Sequence, residues 1–297
     1  MWATSLLLLA ALNLAAPGSQ NSSYLRTIQA RWDASDLVCI GKASAPVRTG
    51  VTQVIDGRDR DQLSTDVELE RCLKGDVPRS SGIRVLGDYV ASAKDSAGGF
   101  AYSGPPVGFV REGRNLIFLR RTTVPDEFVV TVPIYQTAIP LSDVPPDYPP
   151  ATSPGFTATI VIRELESAML QLGELSDLEY IDYLLDYMGT PDGIAELSRL
   201  SDTVPLAIQQ DIAVTLLDHD QSQNESTVIS LLLDPSALAW KRENAALALG
   251  RHGTHAALDP LLRVVLEPAG TEQLKMLHNA AESSLDSLKH RVGSLDK

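Results

Sequence analysis

Residues 241–268 read KRENAALALGRHGTHAALDPLLRVVLEP. Alanine and leucine recur at three- and four-residue spacing, which marks helix rather than strand. Gly250-Arg251-His252-Gly253 interrupts the first helix, and Pro268 follows the second. The spacing therefore predicts two short helices around a tight turn. A hairpin of this size cannot bury its apolar face alone, so the fold depends on what it stacks against.

The neighbour is written in the same chain. Residues 208–235 align on this stretch without a gap, at an offset of 33. Asp211-Ile212-Ala213 falls on Asn244-Ala245-Ala246, His219 on His252, and Asp234-Pro235 on Glu267-Pro268. A third copy begins at residues 277–288, where Asn279-Ala280-Ala281 repeats the same step, and a degenerate pair covers 178–200. Self-similarity at this period predicts an all-α helical solenoid over residues 157–297. Small alanines let the helices approach, and leucine and valine fill the layers between them.

Upstream the period is two. Residues 36–43, DLVCIGKA, form a compact apolar run. In residues 64–73, STDVELERCL, Val67 and Leu69 alternate with Glu68 and Glu70. GIRVLG (82–87), NLIFLR (115–120) and EFVVTVPIY (127–135) complete five strands with no comparable helix between them. That pattern predicts a five-stranded antiparallel barrel within residues 20–139. Residues 139–155 hold six prolines. They exclude a regular helix or central strand, so 140–156 is expected to be a semi-rigid linker holding the halves apart.

The chain opens on an apolar run, residues 6–16, followed by Pro17-Gly18, although no Lys or Arg precedes the run. It is expected to be a signal peptide, residues 1–19, which places the protein outside the cytoplasm, periplasmic or secreted. No later segment is long enough to span a membrane. In an exported chain the two cysteines, Cys39 and Cys72, suggest one disulfide between neighbouring strands; two separate buried thiols are the other reading. Asn21 and Asn224 begin glycosylation sequons that matter only in a host that glycosylates.

A formal net charge of −13 disfavours nucleic acid and anionic membrane surfaces as partners. The charge is uneven: residues 174–240 carry 13 acidic residues against Arg199 alone. Such a face is either a solvated helix surface or an attraction for a basic protein partner.

The helical stretch resembles the short HEAT-like repeats through Arg242, Ala245-Ala246, Ala248-Leu249-Gly250, Gly253, the Leu258/Leu261/Leu262 run and Glu267-Pro268. Leu217 departs from the pattern where Gly250 keeps it. Some relatives with this repeat are phycobilin lyases, but an exported chain has no reason to meet that substrate. The scaffold is carried over and the activity is not. The β half resembles the netrin-like module of tissue inhibitors of metalloproteinases through ASDLVCIGKA, DVELERCLKGD, REGRNLIFLRR and EFVVTVPIY. That resemblance implies an oligonucleotide/oligosaccharide-binding (OB-like) barrel. The inhibitors chelate a catalytic zinc through an N-terminal cysteine, whereas Cys39 lies well inside this chain.

All five histidines fall in the helical half, and no Gly-x-Ser-x-Gly nucleophile motif occurs. His219 and His252 occupy equivalent turns beside Asp218, Asp220 and His255, a candidate metal edge or simply polar turn residues. In residues 56–61, DGRDRD, arginines between the carboxylates would repel a cation and leave a solvated hairpin loop. Residues 96–108, SAGGFAYSGPPVG, lack a phosphate-loop lysine and read as a surface loop. The expectation is an exported, non-enzymatic scaffold with no cofactor. Asp259 and Arg263 would point outward towards a protein partner, and Leu258, Leu261, Leu262 and Val265 inward. The alternatives are a protease inhibitor acting through the barrel and a metal-dependent enzyme.

Overall fold

A computed structural model describes residues 28–55, 58–76, 78, 80–91, 110–131, 138–172, 177–268 and 270–293. The expected signal peptide, Asn21 and the loop at 96–108 lie outside these residues. The strands are β1 (Leu37–Ala43), β2 (Val47–Ile55), β3 (Arg58–Lys74), β4 (Gly82–Ala91), β5 (Gly113–Arg121), β6 (Glu127–Val130) and β7 (Ala138–Pro140).

Five of them close a barrel in the order β1-β3-β4-β6-β5, with β5 returning to β1. The expected antiparallel arrangement needs correction, because β4 and β6 run parallel, with Arg84 opposite Glu127. The reason is parity: directions cannot alternate around a closed ring of five, so one neighbouring pair must run the same way. Two further strands lie off the ring, β2 on β3 and β7 on β5.

The strand sequences follow from what each face meets. On β1 and β5 both faces are buried, which is why both read as unbroken apolar runs. Leu37, Cys39, Ile117 and Leu119 fill the barrel interior, while Val38, Ile40, Leu116 and Phe118 pack outward into a second core. β3 alternates because Val67 turns inward while Asp66 and Glu68 face solvent. Cys39 and Cys72 are register partners on β1 and β3, and a disulfide joins them.

One helix, α1 (Ile28–Ala34), precedes the barrel. After it come α2 (Phe156–Leu172), α3 (Asp177–Met188), α4 (Thr190–Ser201), α5 (Leu206–Asp218), α6 (Glu225–Leu233), α7 (Ala239–His252), α8 (Leu258–Val265) and α9 (Glu272–Gly293). The 33-residue offset reappears as geometry. A 3-10 turn at Ser222–Asn224 leads into α6, and one at His255–Ala257 leads into α8. α5 packs on α7, α7 on α9, and α6 on α8. At the α7–α9 crossing, a Cβ added to Gly250 would lie 2.6 Å from the Cβ of Ser284, so glycine there permits the close approach.

The proline-rich segment does not hold the halves apart. Ile139 and Leu141 are buried in the same core as Val38 and Phe118 of the barrel and Ile160, Leu165, Tyr180 and Leu184 of the helices. The Tyr180 hydroxyl donates to the carbonyl of Pro140. A segment rich in proline offers few backbone donors but many apolar surfaces, so it can lie between two layers as filling.

Candidate interaction surface

Successive helical hairpins are joined by polar rungs. Arg251 pairs with Asp218, the residue at the same position of the preceding repeat, at 2.7 Å. His252 Nδ1 lies 2.7 Å from Asp220. Glu225 accepts the Thr254 backbone N–H at 2.6 Å and the Thr254 hydroxyl. Deeper in, Lys241 and Asp211 form a buried ion pair at 2.7 Å, each less than 5% exposed. Arg242 donates to the carbonyl of Leu232 in the preceding repeat at 2.8 Å and, within its own hairpin, to both oxygens of Glu267. Gln209, the repeat equivalent of Arg242, likewise reaches back to the carbonyl of Ser201 at 2.9 Å. These rungs fix the stacking register; the exposed ones contribute little energy and the buried ones resist being broken singly.

The candidate metal edge is used by these rungs. Asp218 faces the Arg251 guanidinium and Asp220 the His252 imidazole, so two of its carboxylates are already turned to side chains of the next repeat. Among the described residues, no group of three or more His, Cys, Asp or Glu side chains is placed to hold a metal ion.

Asp259 and Arg263 project from α8, both about two thirds exposed, and pair with each other at 2.8 Å. Leu261 and Val264 are buried with Pro260, and Leu258 and Val265 are partly so. Leu262 is the exception to the expected inward set, at 43% exposed. The buried face runs 257, 260/261, 264, and residue 262 stands about 100° around the helix from 261.

A strongly acidic surface lies on α3. Glu179, Asp182 and Asp186 recur at helical spacing and are exposed. Partial burial, then the charges of Asp186 and Glu179, push the Asp182 carboxyl above the usual aspartate range. Partial burial pushes Asp186 up too, against the pull of Arg31. Like charges on one helix face repel, and Arg31 is a cation that draws on Asp186.

The barrel carries a cleft of about 1140 Å³ where the ends of β1, β4 and β5 meet the middle of β3 and the β5–β6 turn. Seven carboxylates and three cations line it, among them Glu68, Glu112, Asp126 and Lys42. Neither His nor Cys lines it.

Residues 241–267 match the model of the PBS lyase HEAT-like repeat. That is the hairpin whose rungs are described above. A HEAT-like repeat suggests a protein-interaction or scaffold role. Neither the curated proteins nor the solved structures yielded a match.

Proposed function

We propose that the protein is an exported, non-enzymatic scaffold that holds a basic protein partner on its helical half. The observation that carries this reading is the acidic face of α3 beside a HEAT-like hairpin stack. Residues 177–240 hold 12 acidic residues and a single cation, Arg199. Asp211 and Asp218 are paired with Lys241 and Arg251, so the charge that faces outward is that of α3. Stacked helical repeats present extended surfaces, and a surface richer in one sign of charge draws a partner of the other. In this reading the helices form a short solenoid and the barrel is a netrin-like module; its ring order and the Cys39–Cys72 bridge support that likeness. The test is cross-linking of tagged full-length protein in its native envelope, followed by mass spectrometry, beside a variant carrying Asp182→Lys and Asp186→Lys. A basic partner captured by the parent and lost from the variant supports the proposal. Equal capture by both refutes the acidic face as the binding surface.

A further inference from the structure

The repeat offset identifies an unfilled position at one end of the helical stack. Ile229 and Leu233 on α6 are partly buried against the core that α8 completes. Their equivalents 33 residues on are Leu262 and Leu266. These are 43% and 75% exposed, because no described helix lies on α8 as α8 lies on α6. Met276, one turn into the adjoining α9, is also half exposed. The same side chains that bury themselves in one repeat are therefore left in water in the next. The missing cover is a helix with an apolar face.

Charge selects the occupant. Residues 177–240 are strongly acidic, and like copies meeting there would repel. Residues 241–293 carry seven basic and six acidic residues, so this end of the molecule is nearly neutral. The apolar side chains are flanked by pairs of opposite sign, Asp259 with Arg263 and Glu272 with Lys275. An isologous two-fold interface requires a patch complementary to itself. Two α8 helices laid antiparallel would bring each Asp259 towards the Arg263 of the other copy while covering Leu262 and Leu266.

We propose that the open edge of α8, with the start of α9, docks on the same edge of a second copy of this chain. The test is sedimentation equilibrium of the full chain over a wide concentration range, with Leu262→Glu/Leu266→Glu, Asp259→Arg, and Asp259→Arg/Arg263→Asp variants. All these positions are exposed, and circular dichroism checks that each variant folds. The expected result is a doubling of mass with concentration, lost in the glutamate variant, weakened at least tenfold by Asp259→Arg and regained in the charge-swapped pair. A monomer at every concentration overturns the proposal, as does a dimer that the glutamate variant leaves intact. Either failure leaves the acidic-face reading standing, since that is read by partner capture.

Discussion

Arg114 of β5 and Glu164 of α2 form a buried fork between the barrel and the helices. Arg114 Nη1 reaches Glu164 Oε2 at 2.7 Å, and Nη2 reaches Oε1; the side chains are 3% and 1% exposed. The remaining donors are also used. Nε binds Glu70 of β3 at 2.7 Å, Nη1 the carbonyl of Ser142 and Nη2 the Tyr148 hydroxyl, which in turn donates to Glu164. Burial lowers the Arg114 pKa, but its hydrogen bonds to Glu164 and Glu70 outweigh this and hold the cation charged. Burial also pushes the Tyr148 hydroxyl up to about 12, keeping it a donor. One guanidinium thus ties strand, proline-rich segment and helix together.

Breaking that fork from one side leaves a buried charge without its partner. Glu164→Gln and Arg114→Met are each expected to cost about 3–5 kcal/mol, and the pair Arg114→Met/Glu164→Leu distinctly less than the sum. Urea denaturation measures both. A single cooperative transition is expected, because the core around Phe118, Ile139 and Leu165 spans both halves.

Stability should fall as pH rises from about 4.5 to about 7. Burial first, then the neighbouring Glu196, push Glu166 from an ordinary 4.5 up to about 7, against the pull of Arg199. In that window the folded chain holds a proton that the unfolded chain has released, so acid favours folding. The hydrogen bond from Arg199 keeps Glu196 below the usual range, so it opposes this slope only near the ordinary glutamate value and adds none at higher pH, where it is ionised in both states. Glu166→Gln should flatten this limb of a denaturation midpoint against pH curve. An unchanged slope in the variant would assign the effect to other groups.

Gly250→Ala sets two effects against each other. Alanine gains about 1 kcal/mol of helix propensity over glycine. The added methyl, however, would meet Ser284 Cβ at 2.6 Å and its Cα at 2.8 Å. Overpacking of that kind costs about 1–3 kcal/mol, so a net lowering of the melting temperature is expected. Pairing it with Ser284→Gly should restore part of the loss.

Removing charge from α3 should separate stability from binding. Asp182→Asn/Asp186→Asn relieves like-charge repulsion on one helix face and is expected to raise stability by a few tenths of a kcal/mol. The same change should weaken partner capture. A surface that trades stability for charge is the pattern of a binding face.

The 33-residue period read from residues 208–268 reappears element for element, down to the 3-10 turns at Ser222–Asn224 and His255–Ala257. Repeats are legible because every copy solves the same packing problem with the same residues. β2 was less legible: Val47 and Val51 are 58% and 47% exposed, so a strand lying off the barrel leaves no burial alternation to read. α1 escaped because seven residues hold only two turns of pattern, although Ile28 and Trp32 stand four apart and both meet the core. The Arg114 fork had no sequence signal at all, since Glu70, Ser142, Tyr148 and Glu164 converge on Arg114 only through the fold. Leu262 was misjudged because composition marks it apolar, while its place at the edge of the stack decides its exposure.

The most direct measurement is hydrogen–deuterium exchange of the full chain with and without its captured partner. The account predicts slowed exchange over α3 to α6, centred on Asp182 and Asp186, with the barrel strands unchanged. Protection confined to the barrel cleft around Glu68 and Asp126, with α3 to α6 unaltered, would contradict it.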